Sequence, residues 1–400
     1  MAVERKNILE QGLDVLSSQK LAVVILLLMA VVTFLGTLDQ VEHGLYDSVN
    51  TYFGSWLILQ PAGPLVVPLP GAMTLMAVLA VNLFLGGLYR IKRSWRTAGV
   101  IVVHIGIVFL LLAGLVKEYY SSDGYLTLYE GDSSSEYVHY HDWEIAVYDV
   151  TETEDYQEWL IPGSEFMHLN GEDKREMSAE DLPLALTLRI FVPNARVVAA
   201  GMGGQYALPA VDGYTVVPQT KEKENEQNLA AMYVSAMDRS SGRVQEGILW
   251  SVANHPWVFE AGGKRWAIKL RHTRINMPFE VRLVDFEKED HARTSMAASF
   301  SSDILRIEDG EETPVHIWMN NPLRYKGLIL FQSGWGPQGA GPNAPLFSTF
   351  SVVENPSDQW PEYACWVIFI GMLIAFGYRL AGYIGSQSRA RLKEAEEQGA

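Results

Sequence analysis

One apolar run constrains the fold of this chain more than any other feature. Residues 96–116 read RTAGVIVVHIGIVFLLLAGLV, and the stretch after Arg96 contains one titratable side chain, His104. At 1.5 Å per residue, about twenty residues cross a hydrocarbon core of roughly 30 Å, so the run predicts a transmembrane helix. An unsatisfied imidazole in that core costs several kcal/mol, so His104 needs a partner. The spacing leaves two partners open: a polar group of a neighbouring helix, or a metal or haem iron.

Three further apolar runs complete a set of four predicted spans. We place the membrane helices at about 21–37, 71–89, 97–116 and 363–385, with a cytoplasmic amphipathic segment at 1–20 and a tail at 386–400. The first run also has the length of a signal sequence, but no small-x-small cleavage site follows it. The segment 37–70 contains QPAGPLVVPLP, which cannot form a regular helix, and is predicted to be an outward-facing loop.

Basic residues next to the spans predict the orientation of the chain. They lie in the link between the second and third spans and after the fourth span: Arg90, Lys92, Arg93, Arg96, Arg389, Arg391 and Lys393. Short segments rich in Lys and Arg stay in the cytoplasm. We therefore predict a multi-pass protein of the bacterial cytoplasmic (inner) membrane, with both termini cytoplasmic and residues 117–362 outside.

Residues 117–362 differ in composition from the spans. Positions 118–361 hold 37 Asp and Glu against 19 Lys and Arg, a net charge of −18, while the rest of the chain is +2. This acidity excludes nucleic acid as a partner class. Short runs rich in β-branched and aromatic residues predict antiparallel strands in a sandwich or open barrel: WEIAVYDV, LALTLRIFV, FEVRLVDF and YKGLILFQSGW. We expect a mobile charged loop at 217–230 and no regular structure at 334–345.

Residues with metal or thiol chemistry are few apart from His104. His139 and His141 have the spacing that places two imidazoles on one face of a strand, with Asp142 next to them. Exposed strand histidines are common, so a surface role is favoured over a metal site. Cys365 is the single cysteine, so the chain has no disulfide framework and no CxxC pair.

The histidine count limits what His104 can do alone. The four predicted spans contain one histidine, so they cannot supply both axial ligands of a b-type haem. Either another chain provides the second ligand, or haem is held on one side and passed on. His104 lies about 10 Å from the predicted cytoplasmic end of its span, suited to a ligand arriving from that side. Gly99 and Gly106 leave room for a planar ligand or for a closely packed helix.

Three stretches resemble the ResB (CcsB-type) family of system II cytochrome c biogenesis proteins. The first is SSQKLAVVILLLMAVVTFLGTLDQ at 17–40, and the second is the third span with His104. The most specific is PFEVRLVDFEKE at 278–289, followed at 300–339 by FSSDILRIEDGEETPVHIWMNNPLRYKGLILFQSGWGPQG. These residues are similar to the family's ending: a strand, an f-S-d turn, N-x-P-L-x-Y-x-G and a final F/Y-Q-S.

The resemblance implies four membrane helices, three N-terminal and one C-terminal, with a β-rich extracytoplasmic domain inserted between the third and the fourth. It implies a subunit that works with a ResC/CcsA-type membrane protein, rather than an enzyme by itself. The pair would take haem b across the bilayer for covalent attachment to apocytochrome c. The thiols of apocytochrome c would be reduced by other, thioredoxin-like proteins. His104 matches the family's transmembrane haem-ligand histidine, shared with the partner.

Two other classes remain open on the residues alone. A membrane b-type cytochrome, or electron-transfer subunit, that anchors an outer domain would need a second haem ligand from another helix. A membrane-anchored β-rich binding module would use His104 only as a structural residue and would bind no haem.

Overall fold

The structure is a computed structural model that describes residues 8–151, 157–290, 297–337 and 345–398. The chain divides into two compact units. A helical unit comprises residues 1–121 and 355–400, and a β unit comprises residues 122–354. The β unit is thus inserted in sequence between the third and fourth apolar helices.

The described part of the helical unit contains five α-helices. They are α1 Ile8–Leu16, α2 Gln19–Tyr52, α3 Ala72–Asn82, α4 Ala98–Tyr120 and α5 Trp360–Gln398. A π-helical turn over Leu83–Tyr89 continues α3. Four segments are long and apolar enough to cross a membrane: Gln19–Tyr52, Ala72–Tyr89, Ala98–Tyr120 and Trp360–Arg391. The predicted spans overlap these four segments, with two of them beginning one residue earlier, and α5 continues through the predicted tail.

The first span is longer than predicted and ends in a reversal. Gly44 interrupts α2 with a non-helical φ of 80° and ψ of 172°. Beyond Gly44 the chain folds back on the first part of α2. Two contacts show this: Ser48 Oγ donates to Asp39 Oδ2 at 2.7 Å, and a Cβ on Gly36 would lie 3.2 Å from Tyr52 Cβ. The prediction of a loop over 37–70 is therefore wrong in its first half. In the second half, the proline-rich stretch forms an antiparallel hairpin of β1 Leu57–Ala62 and β2 Leu65–Pro70.

The β unit is antiparallel throughout its described ladders. Its strands are β3 Ser122–Tyr129, β4 Ser133–Asp149, β5 Glu158–Pro162, β6 Asn170–Ser178, β7 Leu184–Val192, β8 Ala195–Ala199, β9 Tyr214–Pro218, β10 Ala231–Asp238, β11 Val244–Trp250, β12 Trp257–Ala261, β13 Lys264–Asp290, β14 Ala297–Glu308, β15 Glu311–Trp318, β16 Leu323–Tyr325, β17 Leu328–Gly336 and β18 Phe347–Glu354. The large sheet has the order β15-β14-β13-β4-β3-β18-β17-β16, with β5 and β12 paired to β4 and β13. A smaller sheet has the order β11-β10-β7-β6.

Two apolar cores form inside the β unit. The alternating side chains of LALTLRIFV in β7 bury Leu184, Leu186 and Leu188 against the long strands β4 and β13. A second core lies against the large sheet, with Leu283, Ile304 and other residues buried at its centre. β14 and β15 approach β17, so that the sheet is nearly barrel-shaped. The predicted fold class of four apolar helices and a β-rich domain is confirmed.

The predicted irregular segments differ in outcome. Between β9 and β10, residues 219–230 contain only a short 3₁₀ turn at Asn225–Gln227. The segment 334–345 was expected to lack regular structure, yet β17 extends to Gly336, and residues 338–344 lie outside the described part.

Candidate functional site

His104 is the seventh residue of α4, and its ring is oriented by its own helix. His104 Nδ1 lies 2.7 Å from the backbone oxygen of Val100, one turn earlier. A carbonyl oxygen only accepts hydrogen bonds, so Nδ1 is protonated and a neutral ring has its lone pair on Nε2. This is the tautomer in which Nε2 can bind an iron atom, with the second nitrogen fixed by a backbone carbonyl.

The backbone of Gly87 lies against the His104 ring. A Cβ on Gly87 would lie 2.1 Å from His104 Cδ2 and 2.9 Å from Nε2, so the imidazole packs directly on the Gly87 backbone. Gly87 is buried within the π-helical turn. π-Helical turns are rare and are often found at functional sites. Sequence reasoning missed this contact, although two successive glycines in an apolar span were a visible signal.

Gly99 and Gly106 give α4 a close helix neighbour. A Cβ on Gly99 would lie 2.4 Å from the backbone nitrogen of Ala375, and one on Gly106 would lie 2.6 Å from Ile368 Cγ1. Both contacts are made with α5. Of the two expectations for these glycines, the close helix is therefore correct, and they provide no space for a planar ligand.

A second histidine lies within the helices but far from His104. His43 belongs to α2, and its Nδ1 lies 2.9 Å from Asp39 Oδ1. Gly86, the neighbour of Gly87, contacts Ser17 just before α2 begins. His43 follows 26 residues later, roughly 39 Å along a helix that rises 1.5 Å per residue. His43 cannot complete a haem site at His104.

Two histidines of the β unit, His139 and His141, lie in a bulge of β4. Trp143 pairs with His272 and Val138 with Arg274, so four residues of β4, 139–142, face one residue of β13. His139 Nδ1 accepts hydrogen bonds from the backbone nitrogens of His141, at 3.2 Å, and of Asp142, at 3.0 Å. Regular alternation is interrupted at this bulge, yet the His139 and His141 rings remain neighbours, with their centroids 6.1 Å apart at an interplanar angle of 82°.

The electrostatics of this bulge favour neutral rings. Burial and the neighbouring His139 lower the pKa of His141 to about 4. Burial also lowers the pKa of His272, which stacks on Trp143 at 3.8 Å between ring centroids. Among the described residues, no group of three or more His, Cys, Asp or Glu side chains is arranged to hold a metal ion.

Comparison with known proteins places part of this chain in a family. The model of the ResB-like family matches residues 247–356. That stretch belongs to the ResB-like family. The resemblance seen in the sequence is thereby confirmed over this stretch. The family has a role in cytochrome c biogenesis and is associated with haem handling.

A longer alignment links the chain to a relative. It is 21% identical over 304 residues to Protein NrfI of Wolinella succinogenes. The alignment covers 75% of this chain but 29% of NrfI. The chain therefore spans less than a third of the length of that relative.

Residues within the matched stretch hold the nearly closed sheet together. Ser302 Oγ donates to Gln332 Oε1 at 2.6 Å and lies 2.9 Å from Ser348 Oγ, which also accepts from Gln332 Nε2 at 2.7 Å. Both serines are buried. Tyr325 of the N-x-P-L-x-Y-x-G motif donates to Glu308 Oε2 at 2.7 Å, joining β16 to β14. These motif residues are therefore structural.

His104 has the chemistry of one axial haem ligand. Its Nε2 accepts no hydrogen bond within the described part of the chain, and its orientation is fixed from two sides. Arg90, a basic residue in the link before α4, forms an ion pair with Asp14, with 2.6 Å between Arg90 Nη2 and Asp14 Oδ1. The residues present thus fit one axial ligand.

Proposed function

We propose that this chain is the haem-receiving subunit of a system II cytochrome c biogenesis complex. The observation that supports this most directly is the His104 tautomer, because a backbone carbonyl on Nδ1 leaves the lone pair of a neutral ring on Nε2, the nitrogen that would bind iron. Haem b is the cargo and is bound transiently through His104 as one axial ligand. The second ligand comes from a ResC/CcsA-type partner, since His43 is too far away.

The proposed route follows from the predicted orientation. With both termini in the cytoplasm, His104 is closer to the cytoplasmic side and receives haem there. The complex then delivers haem to the outer face, where apocytochrome c with reduced thiols accepts it. The acidic β unit stands on that outer face.

A co-expression experiment tests the proposal. The chain and a ResC/CcsA-type partner are produced together in a bacterium that lacks its own cytochrome c assembly system. We expect His104→Ala to abolish haem that co-purifies with the complex and to prevent maturation of a reporter cytochrome c. His43→Ala is the matched control, because it removes the other histidine of the described helices and should leave both readouts unchanged. Full cytochrome c content in the His104→Ala strain would disprove the proposal.

A separate measurement addresses the competing electron-transfer function. A b-type cytochrome retains its haem through reduction and purification. If this chain, purified without a partner, shows a stable reduced spectrum with two axial histidines, the electron-transfer function is favoured instead.

A further inference from the structure

A buried asparagine joins the second span to the turn before the first span. Asn82 is 5% exposed and ends α3 inside an apolar segment, where a polar side chain is costly without partners. Its Nδ2 donates to the backbone oxygen of Leu16 at 2.6 Å and to that of Ser18 at 3.0 Å. Carbonyls at a helix end lack partners within their own helix, and Leu16 is the last residue of α1. Asn82 thus supplies a donor to the last carbonyl of α1 and a second donor to Ser18 O, which also accepts from Ala22 N at 3.3 Å.

Two further positions of the second span contact the same turn, Leu16–Ser18. A Cβ on Gly86 would lie 2.8 Å from the backbone oxygen of Ser17. Arg90 Nη1 donates to Ser17 Oγ at 2.7 Å. Positions 82, 86 and 90 are spaced by four residues and lie on one face of the second span. Contacts from this face to the turn Leu16–Ser18 therefore extend along the whole π-helical segment. We name Asn82, Gly86 and Arg90 together with the turn Leu16–Ser18 the latch.

The π-helical turn therefore lies between the latch and His104. Gly86 touches Ser17, and its neighbour Gly87 touches the His104 ring. Each glycine disfavours a helix by about 1 kcal/mol relative to alanine, and π-helical geometry is itself uncommon. The backbone of this short segment thus has little intrinsic preference for its π-helical conformation. Its position depends on the contacts at its two sides.

We propose that Asn82 is a positioning residue for His104. By holding the turn Leu16–Ser18 on the π-helical segment, Asn82 presses Gly87 against the imidazole and keeps the ring in the orientation that directs Nδ1 to Val100. The consequence for haem rests on the proposed function. The coupling between Asn82 and the orientation of the His104 ring does not rest on the proposed function. The coupling and the haem function can therefore be tested separately.

The first test needs no haem. The full-length chain in lipid nanodiscs is treated with diethyl pyrocarbonate, which acylates an imidazole nitrogen, and modification of His104 is followed by mass spectrometry. Asn82→Leu keeps the side-chain size but removes the donor, and we expect several-fold faster modification of His104. Thr33→Val is the control, since the Thr33 hydroxyl donates to Met29 of its own helix at 2.9 Å and has no contact with the latch. An unchanged rate in Asn82→Leu overturns the inference.

A milder variant guards against misfolding of Asn82→Leu. Arg90→Ala removes an exposed side chain of the latch, whereas Arg93→Ala removes an exposed arginine from the same basic link. We expect Arg90→Ala to accelerate His104 modification and Arg93→Ala to leave the rate unchanged. Equal rates in these two variants count against the latch, even when Asn82→Leu cannot be purified.

The second test uses hemin as the probe. Hemin is titrated into the same nanodiscs, and the axial ligation is read from the Soret band and the electron paramagnetic resonance spectrum. If the wild-type chain and His104→Ala give the same spectrum, the proposed haem function fails, and the modification rates alone decide the inference. If His104 binds hemin, we expect Asn82→Leu to bind it several-fold more weakly and with a larger high-spin fraction. A wild-type affinity and spectrum in Asn82→Leu would refute the positioning role.

Discussion

The imidazole of His104 lies on the backbone of Gly87, so closely that a Cβ at position 87 would be 2.1 Å from His104 Cδ2. We therefore predict that Gly87→Ala displaces the ring and greatly reduces haem bound to the complex, while the protein is still produced. Gly114→Ala is the control, because a Cβ at Gly114 on the same helix as His104 meets no atom within 4 Å. Haem content per purified complex is measured by the pyridine haemochrome absorbance. Wild-type haem content in Gly87→Ala would show that the contact is not needed.

The packing of α4 on α5 predicts a different kind of defect. A Cβ on Gly99 would lie 2.4 Å from the backbone nitrogen of Ala375 and 2.6 Å from the backbone oxygen of Gly371, and backbone atoms cannot rotate away. We expect Gly99→Leu to force the helices apart at a cost of at least about 1–3 kcal/mol. The measurement is the thermal unfolding of the full chain in detergent. Gly377→Leu, at a position of α5 where a Cβ meets nothing within 4 Å, should unfold at the wild-type temperature.

The hydrogen bonds of Gln332 predict a stability effect in the β unit. Gln332→Ala removes the side chain that pairs with Ser302 and Ser348, and leaves two buried hydroxyls with only each other. An unsatisfied buried polar group costs about 1–3 kcal/mol, so we expect a loss of this size in the free energy of unfolding. Chemical denaturation followed by tryptophan fluorescence measures it. Ser333→Ala, at the next and exposed position, should change the free energy much less.

The pKa of His141 predicts how the β unit responds to acid. Burial, followed by the neighbouring His139, lowers this pKa from 6.5 to about 4. The unfolded chain then takes up a proton before the folded chain does, so this contribution to stability is complete above pH 6.5 and decreases as the pH falls to about 4. We expect His141→Gln to reduce the loss in melting temperature between pH 7 and pH 4.5 by a few degrees. His255→Gln, at an exposed position, should retain the wild-type pH dependence.

Long apolar runs and regular strands were predictable from the sequence. The run around His104 is long enough to cross a bilayer, and LALTLRIFV alternates along its first five residues, so local pattern and tertiary environment agree there. The strand coincides with β7, Leu184–Val192. The spans were placed within the correct helices for the same reason, although their ends depend on features that hydropathy does not report.

Other features depend on contacts distant in sequence. The reversal at Gly44 uses one positive φ in a run of otherwise helix-compatible residues, and glycine is also tolerated within helices. The bulge at 139–142 arises because β4 has more residues than the facing part of β13, which no local period reveals. Asn82 was overlooked because one polar residue does not interrupt an apolar run. Its importance comes from carbonyls more than sixty residues earlier.

The order of strands in the large sheet has a consequence for how the β unit forms. β3 begins the unit and pairs along its length with β18, which ends it, so Tyr129 is the partner of Phe347. Contacts so distant in sequence form slowly, because the loop between them must close first. If the unit is exported as predicted, β3 cannot pair with β18 until nearly all of residues 122–354 have crossed the membrane. We therefore expect truncation before residue 347 to leave β3 without that partner, so that the exported segment becomes a substrate for proteases.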